Sequence, residues 1–207
     1  MQQSLIYVHD PMCSWCWGFE PVRQQLFSAL TDKINIVRLV GGLAPDSDEL
    51  MPIEMQSFLQ QTWQKIEQAI PDTQFNFDFW TQCQPRRSTY PANRAVIAAR
   101  QQGEKYDELM THRIQQAYYT EAKNPSDNEV LIALADDIGL DVKQFSQDLT
   151  SAQTQQQLTQ EITLTRQLGM NSFPSLSVQY GEQLFAINLD YNNAENMLTQ
   201  INVIRQK

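Results

Sequence analysis

Metal-binding side chains are scarce in this 207-residue sequence, which contains two histidines and three cysteines. A structural zinc ion needs four ligands, and they usually come from two paired motifs at short spacing. Two cysteines stand close together, but Cys83, His9 and His112 are scattered singly along the chain. The sequence therefore argues against a zinc site, and we predict no bound metal.

Long hydrophobic runs are also missing, since no apolar stretch approaches the roughly 20 residues of a membrane span. The first residues, Met1-Gln2-Gln3-Ser4, lack the charged and apolar regions of a signal peptide. We therefore expect a soluble, cytoplasmic protein with no membrane partner, although a signal peptide already removed would overturn this expectation. Cytoplasmic thiols are kept reduced, so closely spaced cysteines there are more often catalytic or metal-binding than structural.

Positive charge is in short supply, because 15 lysines and arginines face 24 acidic residues and the net charge is -9. A nucleic-acid partner is excluded on this ground, since phosphates demand a basic surface. One stretch departs from the acidic background and contains Arg86, Arg87, Arg94 and Arg100 without an intervening acid. These arginines could stabilise a thiolate or bind an anionic substrate such as glutathione, with Arg86 and Arg87 as the candidate contacts. The alternative is that each pairs with an acid elsewhere.

The most informative segment present is Cys13-Ser14-Trp15-Cys16, which lies between the strand-like run Leu5–Val8 and the amphipathic segment Pro21–Leu30. A cysteine in the first turn of a helix faces unpaired backbone N–H groups, which favour the thiolate. We predict that Cys13 is a nucleophile and that Cys16, one turn later, resolves the mixed disulfide. An inert buried pair is the alternative.

Hydrophobic periodicity predicts an α/β protein. Leu5–Val8 and Ile34–Val40 read as strands, and the helix between them makes a parallel strand-helix-strand unit, the opening half of a thioredoxin-like sheet. From Glu49 to Leu149 the pattern is helical, with a capping box at Ser126–Glu129. This predicts an all-helical insertion at 46–150 between the two halves of a thioredoxin-like domain, 1–45 and 151–207. The aromatic side chains of the insertion are expected in its core, among them Phe58, Trp63, Phe75, Phe77, Phe79 and Trp80.

The last part of the chain predicts a helix ending near Gly169, a hairpin formed by Leu176–Tyr180 and Gln183–Ile187, and a closing helix from about Asn193. Pro174 stands at the entrance of the first hairpin strand, where a cis bond would expose the backbone of Phe173 to an extended substrate. A trans proline that starts an edge strand is the alternative.

Two segments resemble a known family. Asp10–Phe19, with sequence DPMCSWCWGF, and Ser172–Leu176, with sequence SFPSL, are similar to the active-site and cis-proline loops of DsbA-like thioredoxin-fold proteins of the FrnE and predicted protein disulfide isomerase type. The resemblance covers the whole chain. It implies a thioredoxin-like fold with a helical insertion, and thiol–disulfide oxidoreductase or disulfide isomerase activity.

The resemblance also implies site residues and partners. Cys13 and Cys16 would be catalytic, and a peptide disulfide would bind against Met12, Trp15, Trp17, Phe173 and Pro174, with Trp15 exposed. Disulfide-containing proteins or peptides would be the substrates, with no bound cofactor. Glutathione, another dithiol or the thioredoxin system would recycle the enzyme. The dipeptide between the cysteines differs from those of DsbA and thioredoxin, so the direction of exchange stays open, and the predicted cytoplasmic location favours reduction or isomerisation.

Two alternative functions and one alternative role for Cys83 stay open. Kappa-class glutathione transferases and 2-hydroxychromene-2-carboxylate isomerases share the inserted-helix architecture, but a serine typically replaces the first cysteine there. Thioredoxin-like adaptor proteins, which present client proteins to proteases, bind without catalysis. Finally, Cys83 is predicted to be a free thiol, and a regulatory or intermolecular disulfide is its alternative.

Overall fold

The computed structural model describes residues 3–206, in which strands and helices alternate at both ends of the chain and helices fill its middle. The strands are β1 (Gln3–His9), β2 (Asn35–Val40), β3 (Ser175–Tyr180) and β4 (Gln183–Ile187). The helices are α1 (Ser14–Leu30), α2 (Ile53–Ala69), α3 (Phe79–Gln82), α4 (Tyr90–Gln101), α5 (Lys105–Tyr119), α6 (Asn128–Asp137), α7 (Val142–Leu149), α8 (Ala152–Gln167) and α9 (Ala194–Arg205).

The sheet has the strand order β2-β1-β3-β4. Strand β1 pairs in parallel with β2, antiparallel β3 lies on its other side, and β4 completes the hairpin. Because side chains alternate along a strand, Leu5 and Tyr7 point towards α1 and α9, whereas Ile6 and Val8 pack with Met170 on the opposite face. The predicted α/β class and thioredoxin-like fold with a helical insertion are confirmed.

The helices between β2 and β3 have their own hydrophobic core. Apolar side chains at helical spacing on α2, α4 and α5 meet around the fully buried Trp63, whose indole contacts Phe75, Phe79 and Tyr119. This aromatic packing holds α2 and α5 close to the start of α1. It brings residues far apart in sequence to the segment that contains the cysteines.

The two parts of the molecule share contacts. Helix α8 packs against both β2 and α4. The buried carboxylate of Glu161 on α8 accepts a hydrogen bond from the backbone N–H of Val40 and pairs with Arg100 on α4. The domain boundaries at 45/46 and 150/151 stay a prediction. Residues 1, 2 and 207 of the predicted thioredoxin-like domain lie outside the described residues.

Two predictions about the helical part are wrong. Helix α6 has Asp127 rather than Ser126 at its N-cap, and no side chain caps it, because Asp127 pairs with Arg86 and the Ser126 hydroxyl donates to the Ser88 carbonyl. Tertiary partners therefore displace the capping box. Phe58 does not join the core, since 62% of its surface is exposed.

None of the helices within residues 3–206 combines the length and the apolar composition that crossing a membrane requires.

Candidate active site

The two cysteines lie where β1 gives way to α1. Helix α1 begins at Ser14, so Cys13 is its N-cap residue. The sequence predicted Cys13 within the first turn, one position further into the helix. The first turn contains no acidic side chain, and its unpaired N–H groups lie beside Cys13. The positive end of the helix dipole is therefore available to stabilise negative charge on sulfur.

The Cys13 thiol also contacts the loop that precedes β3. Its Sγ donates a hydrogen bond to the carbonyl oxygen of Phe173, 3.3 Å away. The Phe173–Pro174 peptide bond is cis, as the resemblance implied. Gly41 makes room for this loop, because a Cβ at that position would collide with the Phe173 ring. The glycine that ends β2 thus allows Phe173 to approach the thiol.

Cys16 lies deeper than Cys13 and is inaccessible to solvent, whereas 8% of Cys13 is exposed. Burial raises the pKa of Cys16 well above its ordinary value, and a hydrogen bond with Cys13 and the charge of Cys13 raise it further. Both thiols are free. The pair therefore consists of a thiol near the surface and a protonated thiol within hydrogen-bond reach below it.

Cys13 borders a cavity of about 270 Å³ between the thioredoxin-like part and the helices. Six residues predicted for the site line it: Met12, Cys13, Trp15, Arg86, Arg87 and Phe173. The remaining walls come from Ser14, Leu43, Met51, Phe58, Leu59, Thr62, Thr89 and Tyr118.

The structure places the other predicted contacts elsewhere. Trp17 points away from the cavity, where it stacks on Tyr119 and donates from Nε1 to the carbonyl of Gln74. Pro174 is buried and lines a separate depression beside β3 and β4.

Trp15 is half-buried rather than exposed, because its ring packs edge-on against Tyr191 with centroids 5.3 Å apart. The Trp15 ring is therefore only partly available to a ligand.

The arginine stretch divides into paired and unpaired residues. Arg94 binds Asp46, and Arg100 binds Asp107 and Glu161. Arg86 is tied to Asp127, which leaves its guanidinium partly engaged. Arg87 forms no ion pair with any residue between 3 and 206. The expectation of acid partners thus holds for Arg86, Arg94 and Arg100, and Arg87 is the cation of the cavity whose charge is uncompensated.

A fully buried carboxylate organises the loop before Cys13. Asp10 Oδ1 accepts a hydrogen bond from the Met12 N–H at 2.8 Å. Its Oδ2 accepts three more, from the Leu43 N–H, the Thr89 hydroxyl and the Asn93 amide. Burial raises the pKa of Asp10, although these hydrogen bonds oppose the shift. The hydrogen-bond partners of Asp10 come from three separate segments.

His9 differs from Asp10, because neither ring nitrogen of this buried side chain has a hydrogen-bond partner. The ring stacks on Tyr7 instead, with centroids 5.0 Å apart. Burial lowers the pKa of His9 to about 3, and the charges of Arg23, Arg100 and Arg38 contribute to the shift. His9 is thus a neutral packing residue at neutral pH and supplies no cation to the Cys13 thiolate.

Cys83 stands apart from the cavity. Its thiol is half-buried and donates to the carbonyl oxygen of Ala122 at 3.0 Å. Burial and the charge of Asp127 raise the pKa of this thiol. Cys83 is a free cysteine, as predicted, in surroundings that disfavour the reactive thiolate. Within residues 3–206, no three His, Cys, Asp or Glu side chains are grouped as a metal ion would require.

Sequence reasoning missed the contribution of α2 and α5 to the cavity. Tyr118 carries only a helical-periodicity signal, which equally describes an ordinary core residue. Ser14 was known only as part of the cysteine motif, yet its Oγ accepts a hydrogen bond from the buried Trp63 indole at 2.9 Å. This bond anchors α2 to the motif. An acidic residue embedded in an apolar segment was the one available signal for Asp10.

A family model described as thioredoxin matches residues 6–197. The chain belongs to this thioredoxin family. Its fold is similar to that of a candidate protein disulfide isomerase from Nitrosomonas europaea over 100% of this chain and 98% of the other, with a TM-score of 0.86 and 24% identity. The cytosolic disulfide reductase DsbM from Pseudomonas aeruginosa has a TM-score of 0.78 and 21% identity, over 99% of this chain and 100% of the other.

The thioredoxin-family chain is also similar in sequence to a protein with a different description. The ClpXP adapter protein SpxH of Bacillus subtilis is 26% identical over 168 residues, which are 81% of this chain and 55% of the adapter. The chain thus spans about half the length of the curated relatives that it matches.

Proposed function

We propose that this protein is a thiol–disulfide oxidoreductase with Cys13 and Cys16 as its redox dithiol. The observation that carries the proposal is the placement of the two sulfurs. Cys13 borders an open cavity at the positive end of α1, and the fully buried Cys16 thiol lies one helical turn further along. Dithiol exchange needs such a pair, in which one thiol attacks and the other resolves.

Each turnover consumes one substrate disulfide and oxidises the protein dithiol. The Cys13 thiolate attacks one sulfur of the substrate, a mixed disulfide forms, and the other substrate sulfur leaves as a thiolate that takes up a proton. Cys16 then loses its proton and attacks Cys13. The second substrate thiol is released, and the Cys13–Cys16 disulfide retains the oxidation. Another dithiol, two molecules of glutathione or the thioredoxin system would restore the reduced protein.

Reduction or isomerisation of disulfides in the cytoplasm is the direction that we favour. Support comes from the fold shared with DsbM, which is described as a cytosolic disulfide reductase and whose structure is also known with GSH. In this proposal Met12, Trp15 and Phe173 form the apolar walls against which the substrate disulfide lies. Trp17 and Pro174 act from behind the cavity, through the packing of the two loops.

The deciding experiment is a redox titration of the Cys13–Cys16 couple in glutathione or dithiothreitol buffers, with free thiols counted by alkylation and mass spectrometry. We expect a reversible internal disulfide. A reduction potential near about -270 mV would identify a reductant, and one between about -120 and -180 mV an oxidant or isomerase. If no Cys13–Cys16 disulfide forms at any potential, the dithiol mechanism is wrong. A glutathione-activating enzyme of the kappa type would then become the better explanation.

Arg87 is proposed as the contact for an anionic group of the substrate, because its charge is uncompensated within the cavity. We expect Arg87→Ala to lower kcat/KM for glutathione disulfide about tenfold, as loss of one charge-assisted contact would do. Turnover of the neutral bis(2-hydroxyethyl) disulfide should be unchanged. The control is Arg94→Ala, since Arg94 pairs with Asp46 outside the cavity. Equal effects of both variants on both disulfides would contradict this role.

A second candidate function is a protein-binding adaptor, which is favoured by the sequence similarity to SpxH over 81% of this chain. An adaptor needs a docking surface but no redox cycle. Its biological effect would survive replacement of both Cys13 and Cys16 by serine, whereas that of an oxidoreductase would not. The double variant therefore separates the two functions in any assay of the cellular role.

A further inference from the structure

Helix α2 has an apolar stripe of which only half is covered by the protein. Towards its C-terminal end, Trp63 and Ile66 are fully buried in the helical core. Towards its N-terminal end, the stripe continues through Met55, Phe58 and Leu59 at helical spacing, and these side chains remain half-buried or exposed. An amphipathic helix normally buries the whole stripe. The N-terminal half of the stripe is therefore only partly covered by the described residues.

The uncovered half of the stripe faces the reactive thiol. Phe58 and Leu59 line the same cavity as Cys13, and Phe58 continues out of it with 62% of its surface exposed. The position of the helix is fixed, because the Trp63 indole donates to Ser14 between the two cysteines. Phe58 thus forms an apolar rim on the cavity that Cys13 borders.

Strongly exposed large apolar side chains are concentrated in this region. Of the six within residues 3–206, three fall between Leu50 and Phe58, and the others are dispersed over α5, α8 and α9. The backbone at Leu50 pairs with Arg86, another residue of the cavity, so the chain that enters α2 is also tied to the site. Scattered apolar residues need no explanation, but a group beside a nucleophile indicates a binding surface.

The size of the cavity indicates which part of a substrate would contact the Phe58 rim. Small-molecule pockets usually measure roughly 300–1,000 Å³, and the cavity beside Cys13 measures about 270 Å³. A substrate larger than a small disulfide therefore extends out of the cavity, where Phe58 is exposed on the rim. No charged residue belongs to the stripe formed by Met55, Phe58, Leu59 and Thr62. The outer part of the substrate should accordingly be apolar.

We propose that the N-terminal half of α2, with Phe58 at its centre, selects polypeptide disulfides whose cysteine has a bulky apolar neighbour. This inference rests on the proposed oxidoreductase function and names its substrate class. The neighbouring side chain would pack on Phe58 and Leu59 while the Cys13 thiolate attacks the substrate sulfur, with the same electron balance as above. Glutathione lacks such a neighbour and would gain no contact of this kind from Phe58.

The test compares two neutral peptide disulfides that differ only in a leucine or a serine beside the cysteine. We expect the wild-type protein to reduce the leucine peptide with about tenfold higher kcat/KM, as expected for burial of one apolar side chain. Phe58→Ser should remove most of this preference. Because Phe58 also lines the cavity, the readout is the ratio of the two kcat/KM values within each variant, which a general loss of activity would not change.

Val203→Ser is the matched control, because Val203 on α9 is exposed to a similar extent, 57%, and does not line the cavity. It should retain the preference for leucine. Equal rates for the two peptides in the wild-type protein, or an undiminished preference in Phe58→Ser, would overturn the inference while leaving the oxidoreductase function intact. Failure of the wild-type protein to reduce any disulfide would instead contradict the proposed function, and with it this inference.

Discussion

Replacement of Cys13 by serine is expected to lower the rate of disulfide exchange by about a thousandfold or more, since it removes the attacking sulfur. Replacement of Cys16 by serine should have a different result. Cys13 still attacks, but the mixed disulfide cannot be resolved internally and accumulates. Intact-mass analysis after addition of excess peptide disulfide should therefore detect one adduct on Cys16→Ser and none on Cys13→Ser at this site.

The difference between the two variants follows from the depth of the sulfurs. Cys13 lines the cavity, whereas Cys16 is fully buried with a raised pKa, so a substrate can reach only the first. Cys83→Ser is the control and should retain wild-type activity, because Cys83 lies away from the cavity and donates to Ala122. Adduct formation at Cys16 in the Cys13→Ser variant would reverse the proposed roles. Unchanged turnover in both variants would rule out the dithiol mechanism.

Replacement of Asp10 by alanine is expected to lower the free energy of unfolding by about 3–5 kcal/mol, which is large beside the usual effect of a point mutation. The reason is that the N–H groups of Met12 and Leu43 and the Asn93 amide lose an acceptor in a site closed to water. The Thr89 hydroxyl loses its short bond to Asp10 and keeps only a longer one to the Ala44 carbonyl. Denaturant unfolding monitored by tryptophan fluorescence measures the loss.

Asp190→Ala is a matched control for this prediction. The Asp190 carboxylate also accepts several hydrogen bonds, from the N–H groups of Asn192 and Asn193 and from the Asn196 amide. Its surroundings are open to solvent, so water can replace the lost acceptor, and the expected cost is about 1 kcal/mol. Asp10→Asn should lie between the two, because the amide keeps the shape but presents a donor to another donor. Equal losses for Asp10→Ala and Asp190→Ala would show that burial of the Asp10 network contributes nothing.

The Asp10 network also bears on the exchange reaction. Its carboxylate connects the loop before Cys13 with the loop after β2 and with the start of α4, and its backbone carbonyl accepts from the Cys13 N–H at 3.0 Å. Asp10 therefore fixes the relative positions of the segments that form the cavity walls around the Cys13 sulfur. In Asp10→Asn, if it remains folded, we expect slower exchange together with faster alkylation of Cys16, since loosening of this loop exposes the buried thiol.

Features that depend on neighbours in sequence were predictable. The strand-like runs, the parallel β1–β2 unit and the hairpin of β3 and β4 follow from local hydrophobic periodicity. The helical insertion was predicted for the same reason, and so was the position of Cys13 and Cys16 at a strand-to-helix junction. Such patterns persist because a strand or helix must bury one face wherever it packs.

The walls of the cavity could not be predicted. Phe58 and Trp63 are both aromatic residues of α2, and both were expected in the helical core. Phe58 is nevertheless exposed on the rim of the cavity, whereas Trp63 is fully buried. Arg86 and Arg87 are adjacent and chemically identical, but only the first meets an acidic partner, Asp127. Each outcome depends on which distant segment packs alongside, and no local pattern encodes that choice.

The sequence by itself determined the order of strands and helices, the α/β class and the placement of two thiols at the start of a helix, because periodicity and motif spacing are local properties. The tertiary structure alone decided that Asp10 is enclosed by four donors, that Arg87 is left without an acid and that half of the α2 stripe is uncovered. These features arise from side chains that meet across more than thirty residues of chain, as between Asp10 and Leu43, so only the packing of the whole molecule brings them together.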